Sequence, residues 1–182
     1  MKLYIEMWKP LLISTFFFFT GCSISDYPSD ISPIQPIENF RLGHLVVKAE
    51  NTQKGFFSRK ASEQVLEDTL KNKLLISLSK QNGNHFFHIS VVVSAYVLAK
   101  PGIPIILSPK SILIVDVSIF DDDSEQKVFD KPKRFSVFES LSSNTLIGSG
   151  LTLTAEEQLD NLTTIATYKI TQWLVQNKDI FE

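Results

Sequence analysis

HFFHISVVVSAYVLA, residues 85–99, is the longest stretch of the chain with the pattern of a β-strand. Apolar residues alternate with other residues along most of it, so that they fall on one face of an extended chain. They are Phe87, Ile89, Val91, Val93, Ala95 and Val97. The opposite face carries Ser90, Ser94 and Tyr96. A strand with one apolar and one part-exposed face is typical of an antiparallel sheet that packs on a core from one side only.

Three further strands are predicted around this segment. Residues 42–49 form the first strand, and residues 110–120 follow the central one with their own alternation of apolar residues. Residues 126–139 return as a hairpin partner. Pro132 interrupts this last strand, because proline has no N–H to donate to a strand ladder.

The first helix is predicted from leucines that recur every four residues and therefore line one helix face. They are Leu66, Leu70, Leu74 and Leu78. Ser58 is the expected N-cap, and the helix is expected to run to about Gln81. Gly83 lies just beyond this end, where a left-handed residue often terminates a helix.

The last helix is predicted from a capping box formed by Thr154 and Glu157. An apolar stripe continues it to about Asn177. Taken together, the elements predict an α+β fold, a two-layer sandwich of order β-α-β-β-β-α. In this fold a mainly antiparallel four-stranded sheet carries both helices on one face, and residues 41–182 form a single domain.

The first residues have the pattern of a bacterial lipoprotein signal. A short apolar run of about ten residues, too short for a bilayer that needs roughly twenty, ends in Phe19-Thr20-Gly21 and is followed by Cys22. The thiolate of such a cysteine is nucleophilic enough to accept a diacylglycerol. We therefore predict that residues 1–21 are removed and that acylated Cys22 holds the protein on a lipid bilayer. A plain signal peptide with an incidental cysteine is the alternative.

Residues 22–40 are predicted to be a lipidated flexible tether. They contain Pro28, Pro33 and Pro36 and have no regular apolar period. A coil of this length spans roughly 20–25 Å on average. Ser23 follows the cysteine where aspartate favours retention in the inner membrane of enterobacteria, so the expected location is the outer membrane, facing the periplasm.

Composition limits the possible functions. Loss of Lys2, Lys9 and Glu6 with the signal changes the formal net charge from −2 to −3, which gives no basic field for nucleic acid. The chain has a single cysteine, so no disulfide is expected within it. Its domain is expected to rest on packing alone.

Residues of the types used in catalysis or metal binding do not form a familiar pattern. His85 and His88 are three apart on a strand and are expected to point to opposite faces, and His44 belongs to another strand. Residues 121–125 contain four carboxylates, but their spacing differs from that of calcium loops and indicates a solvated turn. Gly148-Ser149-Gly150 lacks a P-loop lysine. We expect no metal, no cofactor, no small-molecule substrate and no enzymatic activity.

Two apolar segments are candidates for contact with a partner or a membrane. Phe56 and Phe57 stand between cationic residues, which suits a lipid headgroup interface, although either ring is also suited to staple the first helix. The proline-rich loop of residues 101–109 contains Ile103, Ile105 and Ile106. This loop is expected either to fold back over the core or to contact a partner or lipid.

The carboxyl-terminal half carries a recognisable combination of motifs. They are VSIFDD at 117–122, PKRFSVFE at 132–139, IGSGLT at 147–152 and the capped helix that ends in Trp173-Leu174. In these motifs the chain resembles uncharacterised small lipoproteins of marine alphaproteobacteria. In architecture it is distantly similar to accessory lipoproteins of envelope machines, such as the lipopolysaccharide-assembly lipoprotein and the auxiliary lipoproteins of lipid-transport systems. The resemblance implies an envelope lipoprotein and supplies no catalytic residue.

The expected function is that of a membrane-anchored, non-enzymatic accessory or scaffold protein of the cell envelope, with an envelope protein as its partner. The alternative is a lipid- or small-ligand-binding component of an envelope transport system. The alternative requires a cavity of several hundred cubic ångströms between the sheet and the helices.

Overall fold

The computed structural model describes residues 30–100, 111–139 and 153–181. Nine elements follow one another in this part of the chain. They are β1 (Phe40–Lys48), β2 (Gln53–Lys54), α1 (Glu63–Ser77), β3 (His85–Val97), β4 (Ile112–Asp121), β5 (Gln126–Lys127), β6 (Lys133–Phe138), α2 (Ala155–Gln176) and a 3-10 helix (Lys178–Phe181). The predicted α+β class is confirmed. The structure adds two strands of two residues each, β2 and β5, to the predicted order of elements.

The sheet is mixed but mostly antiparallel. β3 and β4 pair antiparallel along most of their lengths, and β6 pairs antiparallel with the first half of β4. β1 is parallel to β3, with α1 as the crossover between them. The returning strand predicted at 126–139 is divided into β5 and β6, with Pro132 in the gap between them.

Both helices pack on the same face of the sheet. The leucines of α1 predicted for one face are all buried, and so are Leu162, Ile170 and Leu174 of α2. These side chains share one hydrophobic cluster with alternate residues of β1, β3, β4 and β6. Burial of this apolar surface between the two layers is the main favourable term in the stability of the domain.

The inward-facing set of β3 changes near its end. The register with β4 shifts between Val93 and Ala95, so that Ser94 is an extra residue in a β-bulge. Beyond the bulge Tyr96 is buried, whereas Ala95 is only half-buried. The predicted assignment of Ala95 and Val97 to the core face is therefore wrong, because one inserted residue exchanges the two faces of a strand.

The ends of α1 differ from the prediction. The N-cap is Ser62, whose hydroxyl accepts a hydrogen bond from the backbone N–H of Val65 at 3.2 Å. Ser58 is buried instead beside β3, where its hydroxyl accepts from the N–H of Leu98. The helix ends at Ser77. The start and end of α2 are as predicted: Thr154 and Glu157 form the capping box, and Asn177 is the C-cap.

Gly83 does not have the left-handed conformation predicted for it. It lies instead where the chain passes very close to the start of β1, since a Cβ at this position would be 2.2 Å from the carbonyl carbon of Asn39. Its N–H donates to the carbonyl oxygen of Phe40. The glycine is required by the close approach of two backbones rather than by a helix end.

Residues 30–39, which the sequence places in the tether, pack along the domain. The N–H of Ile34 donates to the carbonyl oxygen of Ser77 at 2.9 Å, and the N–H of Ile37 donates to Oε1 of Gln81 at 2.8 Å. Ile37 is buried. The ordered domain thus begins before residue 41, because Ile37 belongs to the hydrophobic core and Ile34 packs against it.

Candidate functional site

The two ends of the sheet carry different side chains and are named here for them. The aromatic end comprises residues 53–59, the end of β3, the start of β4 and the end of β6. The histidine end comprises the start of β3, the end of β4 and the turn of residues 121–125. α1 starts at the aromatic end, where the N–H of Ala61 donates to the hydroxyl of Tyr96, and it ends at the histidine end.

Residues 53–59 are held against β3 by backbone hydrogen bonds. β2 pairs with Ala95 and Tyr96, and the N–H of Gly55 donates to the carbonyl oxygen of Tyr96 at 3.0 Å. A Cβ at Gly55 would lie 2.6 Å from Cγ2 of Val97. The glycine therefore lets this segment pass close to β3, and the two residues that follow project from it.

Phe56 and Phe57 are 98% and 63% exposed. Phe57 is five residues before the N-cap of α1 at Ser62, so the two rings do not occupy the residue before the cap, where a hydrophobic staple would begin. A further apolar row lies at the same end of the sheet, on the face that the helices do not cover, which is called the open face. Val97, Ile112 and Phe138 are direct neighbours across three strands, and Phe138 is 52% exposed.

Several residues singled out from the sequence lie outside the described part of the chain. They are Cys22, the loop residues Ile103, Ile105 and Ile106, and the Gly148-Ser149-Gly150 turn. Their predicted roles stay predictions.

The histidine end is built around a bulge in β1. Gly43 and His44 together lie opposite His88, and the N–H of His44 donates to Nδ1 of His88 at 2.9 Å. Since Nδ1 accepts this hydrogen bond, Nε2 carries the proton of the neutral ring and donates to Asp122 at 2.8 Å. A Cβ at Gly43 would lie 2.5 Å from Nδ1 of His88. The glycine therefore makes room for the imidazole.

The acidic turn contacts two histidines rather than only solvent. His85 Nδ1 lies 2.8 Å from a carboxylate oxygen of Asp123, beside the pair formed by His88 and Asp122. The sequence did not predict these pairs, because they depend on the register that sets Phe87 opposite Asp121. Only the register of β3 and β4 reveals the two pairs, because it brings the turn level with the start of β3.

An open cleft of about 460 Å³ lies beside this cluster on the outer face of the sheet. Val46 and Phe120 line it together with His44, His88 and three carboxylates of the turn. Within the described residues no group of three or more histidine, cysteine, aspartate or glutamate side chains is arranged to hold a metal ion. Chemically, the cleft offers an apolar floor with hydrogen-bond acceptors at its rim.

An ion pair between β4 and β6 lies at the centre of the open face. Nε and Nη2 of Arg134 donate to the two carboxylate oxygens of Asp116 at 2.8 and 2.9 Å. The hydroxyl of Ser94 in the bulge also donates to Asp116. The hydrogen bond from Arg134 is the main reason that the pKa of Asp116 lies below its ordinary value of 3.8.

Comparison with known proteins gives remote structural similarity only. No family model and no curated protein matches the chain. XCC0632 from Xanthomonas campestris, of the family DUF330, is similar in structure with a TM-score of 0.46 and 11% identity, over 81% of this chain and 92% of that one. The hypothetical protein CT253 from Chlamydia trachomatis gives a TM-score of 0.44 and 9% identity, over 75% and 95%.

A minor lipoprotein from Acinetobacter baumannii is also similar, with a TM-score of 0.33 and 18% identity over 75% of this chain and 94% of that one. The structural neighbours thus include DUF330 and a lipoprotein, whereas nothing in the comparison supports the narrower group of marine alphaproteobacterial lipoproteins. With every TM-score below 0.5, the likeness assigns neither a family nor a function to this chain.

No helix in the described residues combines the length and the apolar character that a bilayer crossing requires.

Proposed function

We propose that the protein is a lipoprotein anchored in the cell envelope through acylated Cys22, and that it acts without enzymatic activity as an accessory or scaffold protein. Its partner would be another envelope protein, bound at the aromatic end. The lipobox pattern at residues 19–22 supports the anchor. Ser23 supports the outer membrane, with the domain in the periplasm.

The observation that carries this proposal is the exposure of two adjacent phenylalanines in a segment that is itself fixed to the sheet. The two rings are 98% and 63% exposed, so their apolar surface is in contact with water. Removal of this surface from water is favourable and requires another molecule to cover the rings. Aromatic side chains held on a rigid frame are frequent anchors of protein interfaces, because little conformational entropy is lost when they are covered.

The position of the aromatic end favours a protein partner over the anchoring bilayer. Ser32 is held at the histidine end, where its carbonyl oxygen accepts a hydrogen bond from the hydroxyl of Ser77, and ten residue steps separate Cys22 from Ser32. Ten steps reach at most about 36 Å when fully extended and roughly 17 Å on average. β3 has 13 residues and extends for about 40 Å towards the aromatic end. In an upright domain the phenylalanines therefore point away from the lipid surface.

The alternative, a lipid- or small-ligand-binding component of a transport system, has the open cleft beside Val46 and Phe120 in its favour. This cleft lies on the outer face of the sheet, whereas the facing side chains of the sheet and helices form one buried cluster. Mass spectrometry of the purified protein under native conditions tests this alternative. A stoichiometric bound lipid that is lost when Val46 is changed to aspartate would favour it.

A photo-crosslinking experiment tests the scaffold proposal. p-Benzoylphenylalanine is introduced at position 56, and at position 86 as a matched control, since Phe86 is an exposed phenylalanine near the histidine end. After irradiation of intact cells, position 56 should give a discrete protein adduct that position 86 does not give. Adducts with lipid alone from position 56, or the same adducts from both positions, would refute a protein contact at the aromatic end.

A fractionation experiment tests the anchor. Cys22→Ala should move the protein from the membrane fraction to the periplasmic fraction, because the acyl chains are its proposed hold on the bilayer. Cys22→Ser serves as a second variant that keeps a hydroxyl but not the thiol. A variant that sediments with membranes as the native protein does would contradict lipid anchoring.

A further inference from the structure

Residues 55–58 form a β-turn at the aromatic end, which is named here the aromatic turn. The N–H of Ser58 donates to the carbonyl oxygen of Gly55 at 3.1 Å and closes the turn, with Phe56 and Phe57 at its two central positions. Such positions are usually held by glycine, proline, asparagine, aspartate or serine, each of which favours the bent backbone for a physical reason. Phenylalanine has none of these properties, and neither ring belongs to the hydrophobic core. The turn and the core therefore do not account for the two rings.

The aromatic turn is fastened to β3 on both sides. Before the turn, the N–H of Gly55 donates to the carbonyl oxygen of Tyr96. After it, the hydroxyl of Ser58 accepts from the N–H of Leu98 at 2.8 Å, and the N–H of Arg59 donates to the carbonyl oxygen of Leu98 at 2.9 Å. The backbone that carries the rings thus has a defined position, so little conformational freedom is lost when another molecule covers them.

The shape of the aromatic turn indicates the shape of its partner. Phe56 is 98% exposed and Phe57 is 63% exposed, so the described chain leaves most of both rings uncovered. A flat surface would contact only the leading edge of this projection and would leave the sides of the rings in water. Aromatic anchors that contribute most to protein interfaces lie in well-packed pockets of the partner. The receiving surface is therefore expected to be an apolar pocket.

The stretch of chain around the aromatic turn is cationic. Residues 51–62 contain Lys54, Arg59 and Lys60 and no aspartate or glutamate, although the whole chain has a formal net charge of −2. Nη1 of Arg59 donates to the carbonyl oxygen of Leu153 at 2.8 Å. Lys54 and Lys60 are exposed, and neither forms an ion pair within the part of the chain that the structure describes. Each is at most three residue steps, or about 11 Å, from a phenylalanine of the turn.

We propose that the partner receives the aromatic turn in an apolar pocket whose rim carries carboxylates. This inference rests on the proposed function above and adds the chemistry of the partner surface. The pocket removes the rings from water, and aspartate or glutamate at its rim complements Lys54 and Lys60. Apolar contacts alone are not directional and accept many apolar pockets. The two lysines thus select among such pockets, because a rim with positive charge would repel them.

Photo-crosslinking combined with charge reversal tests the inference. p-Benzoylphenylalanine is placed at position 56 in the native protein, in Lys54→Glu/Lys60→Glu and in Lys131→Glu/Lys178→Glu. The last variant is the control, because it makes the same change of net charge at exposed positions outside the aromatic end. Reversal at positions 54 and 60 should lower the yield of the protein adduct at least about tenfold, since like charges placed opposite each other are strongly unfavourable. The control should give the native yield.

Ionic strength provides a second measurement on isolated cell envelopes. The adduct yield of the native protein should fall when sodium chloride is raised from about 0.1 M to about 1 M, because the Debye length then shortens from about 10 Å to about 3 Å. Lys54→Gln/Lys60→Gln should give a lower yield than the native protein at the lower concentration. Its yield should change much less with salt, since the charges that salt screens are absent.

Mass spectrometry of the adduct identifies the crosslinked segment of the partner, which should contain aspartate or glutamate. Replacement of these carboxylates by lysine should weaken the adduct of the native protein and restore that of Lys54→Glu/Lys60→Glu. Such a rescue also shows that the charge-reversed variant is folded, so that its lost adduct reports on the contact.

The possible failures are distinguishable. A protein adduct from position 56 that neither charge reversal nor salt weakens, or that lies in a segment without carboxylates, would overturn the charged rim and leave the aromatic end as a protein contact surface. Adducts with lipid alone would identify an anionic bilayer as the occupant, and the absence of any adduct would count against the contact surface itself. Either of these two results would overturn the proposed protein contact together with the inference.

Discussion

Substitution of Gly43 by alanine should destabilise the domain through His88 and through no other residue. The added Cβ would lie 2.5 Å from Nδ1 of His88, about 0.9 Å inside an ordinary contact of 3.4 Å. The imidazole is the mobile partner in this clash and must turn away. It then loses its hydrogen bonds to the N–H of His44 and to Asp122.

The expected magnitude follows from those two hydrogen bonds. Each hydrogen bond contributes about 0.5–1.5 kcal/mol to the free energy of unfolding. Replacement of glycine by alanine raises that free energy by roughly 0.4–1 kcal/mol, because alanine restricts the unfolded chain. Gly43→Ala should therefore lower the free energy of unfolding by about 1–2 kcal/mol. His88→Ala removes the same hydrogen bonds and should cost a similar amount. With the ring absent, alanine at position 43 meets no clash, so the double variant should be more stable than His88→Ala by the roughly 0.4–1 kcal/mol gained from the unfolded chain.

Urea unfolding followed by far-ultraviolet circular dichroism measures all four proteins of this cycle. We expect a coupling free energy of about 1–3 kcal/mol between the two sites, which is the contribution of the two hydrogen bonds and lies well above the roughly 0.3–0.5 kcal/mol within which independent sites add. Gly55→Ala is the matched control, because its Cβ would meet Val97 and not His88. Additive effects of Gly43→Ala and His88→Ala, or an equal coupling for Gly55→Ala, would refute the reasoning.

Two further predictions concern stability. Asp116→Asn should lower the free energy of unfolding by about 0.5–1 kcal/mol at neutral pH, because it removes the ion pair with Arg134 on a partly solvated face. The pKa of Asp116 is lower in the folded protein than its ordinary value of 3.8, so its ionised form stabilises the fold above that value and the stabilisation is lost as the pH falls through the folded pKa. The urea midpoints of the two proteins should therefore converge below about pH 4. A difference between the midpoints that stays constant with pH would contradict this. Thr154→Ala should cost about 0.5–2 kcal/mol in the same assay by removing the N-cap hydroxyl, whereas Thr154→Ser should retain most of the stability; equal losses would exclude the capping box as the cause.

Periodicity was sufficient to predict the two layers of the fold. Leu70 and Leu74 are fully buried as the four-residue spacing requires, and the capping box of Thr154 begins α2. These features depend on residues close in sequence, so local patterns determine them. The bulge at Ser94 escaped prediction, because the register of β3 and β4 depends on packing across the whole sheet.

The candidate sites were predictable to different degrees. Phe56 and Phe57 are conspicuous in the sequence because they are apolar residues flanked by cations. In the structure both side chains are exposed. The contacts of His85 and His88 with the acidic turn were missed, since strand pairing brings together residues more than 30 positions apart.

In the proposed lipoprotein, the hydrogen bonds that fasten residues 32–37 to the end of α1 would also set how far the domain can move from its anchor. With these bonds in place, the ten residue steps from Cys22 to Ser32 have a contour of about 36 Å. A pull on the anchor loads these few bonds first, because they lie at the entry of the chain into the domain. Their release would free six more residues and lengthen the contour to about 58 Å while the core leucines stay packed. The protein thus carries spare length, which would let it keep hold of a moving partner without unfolding.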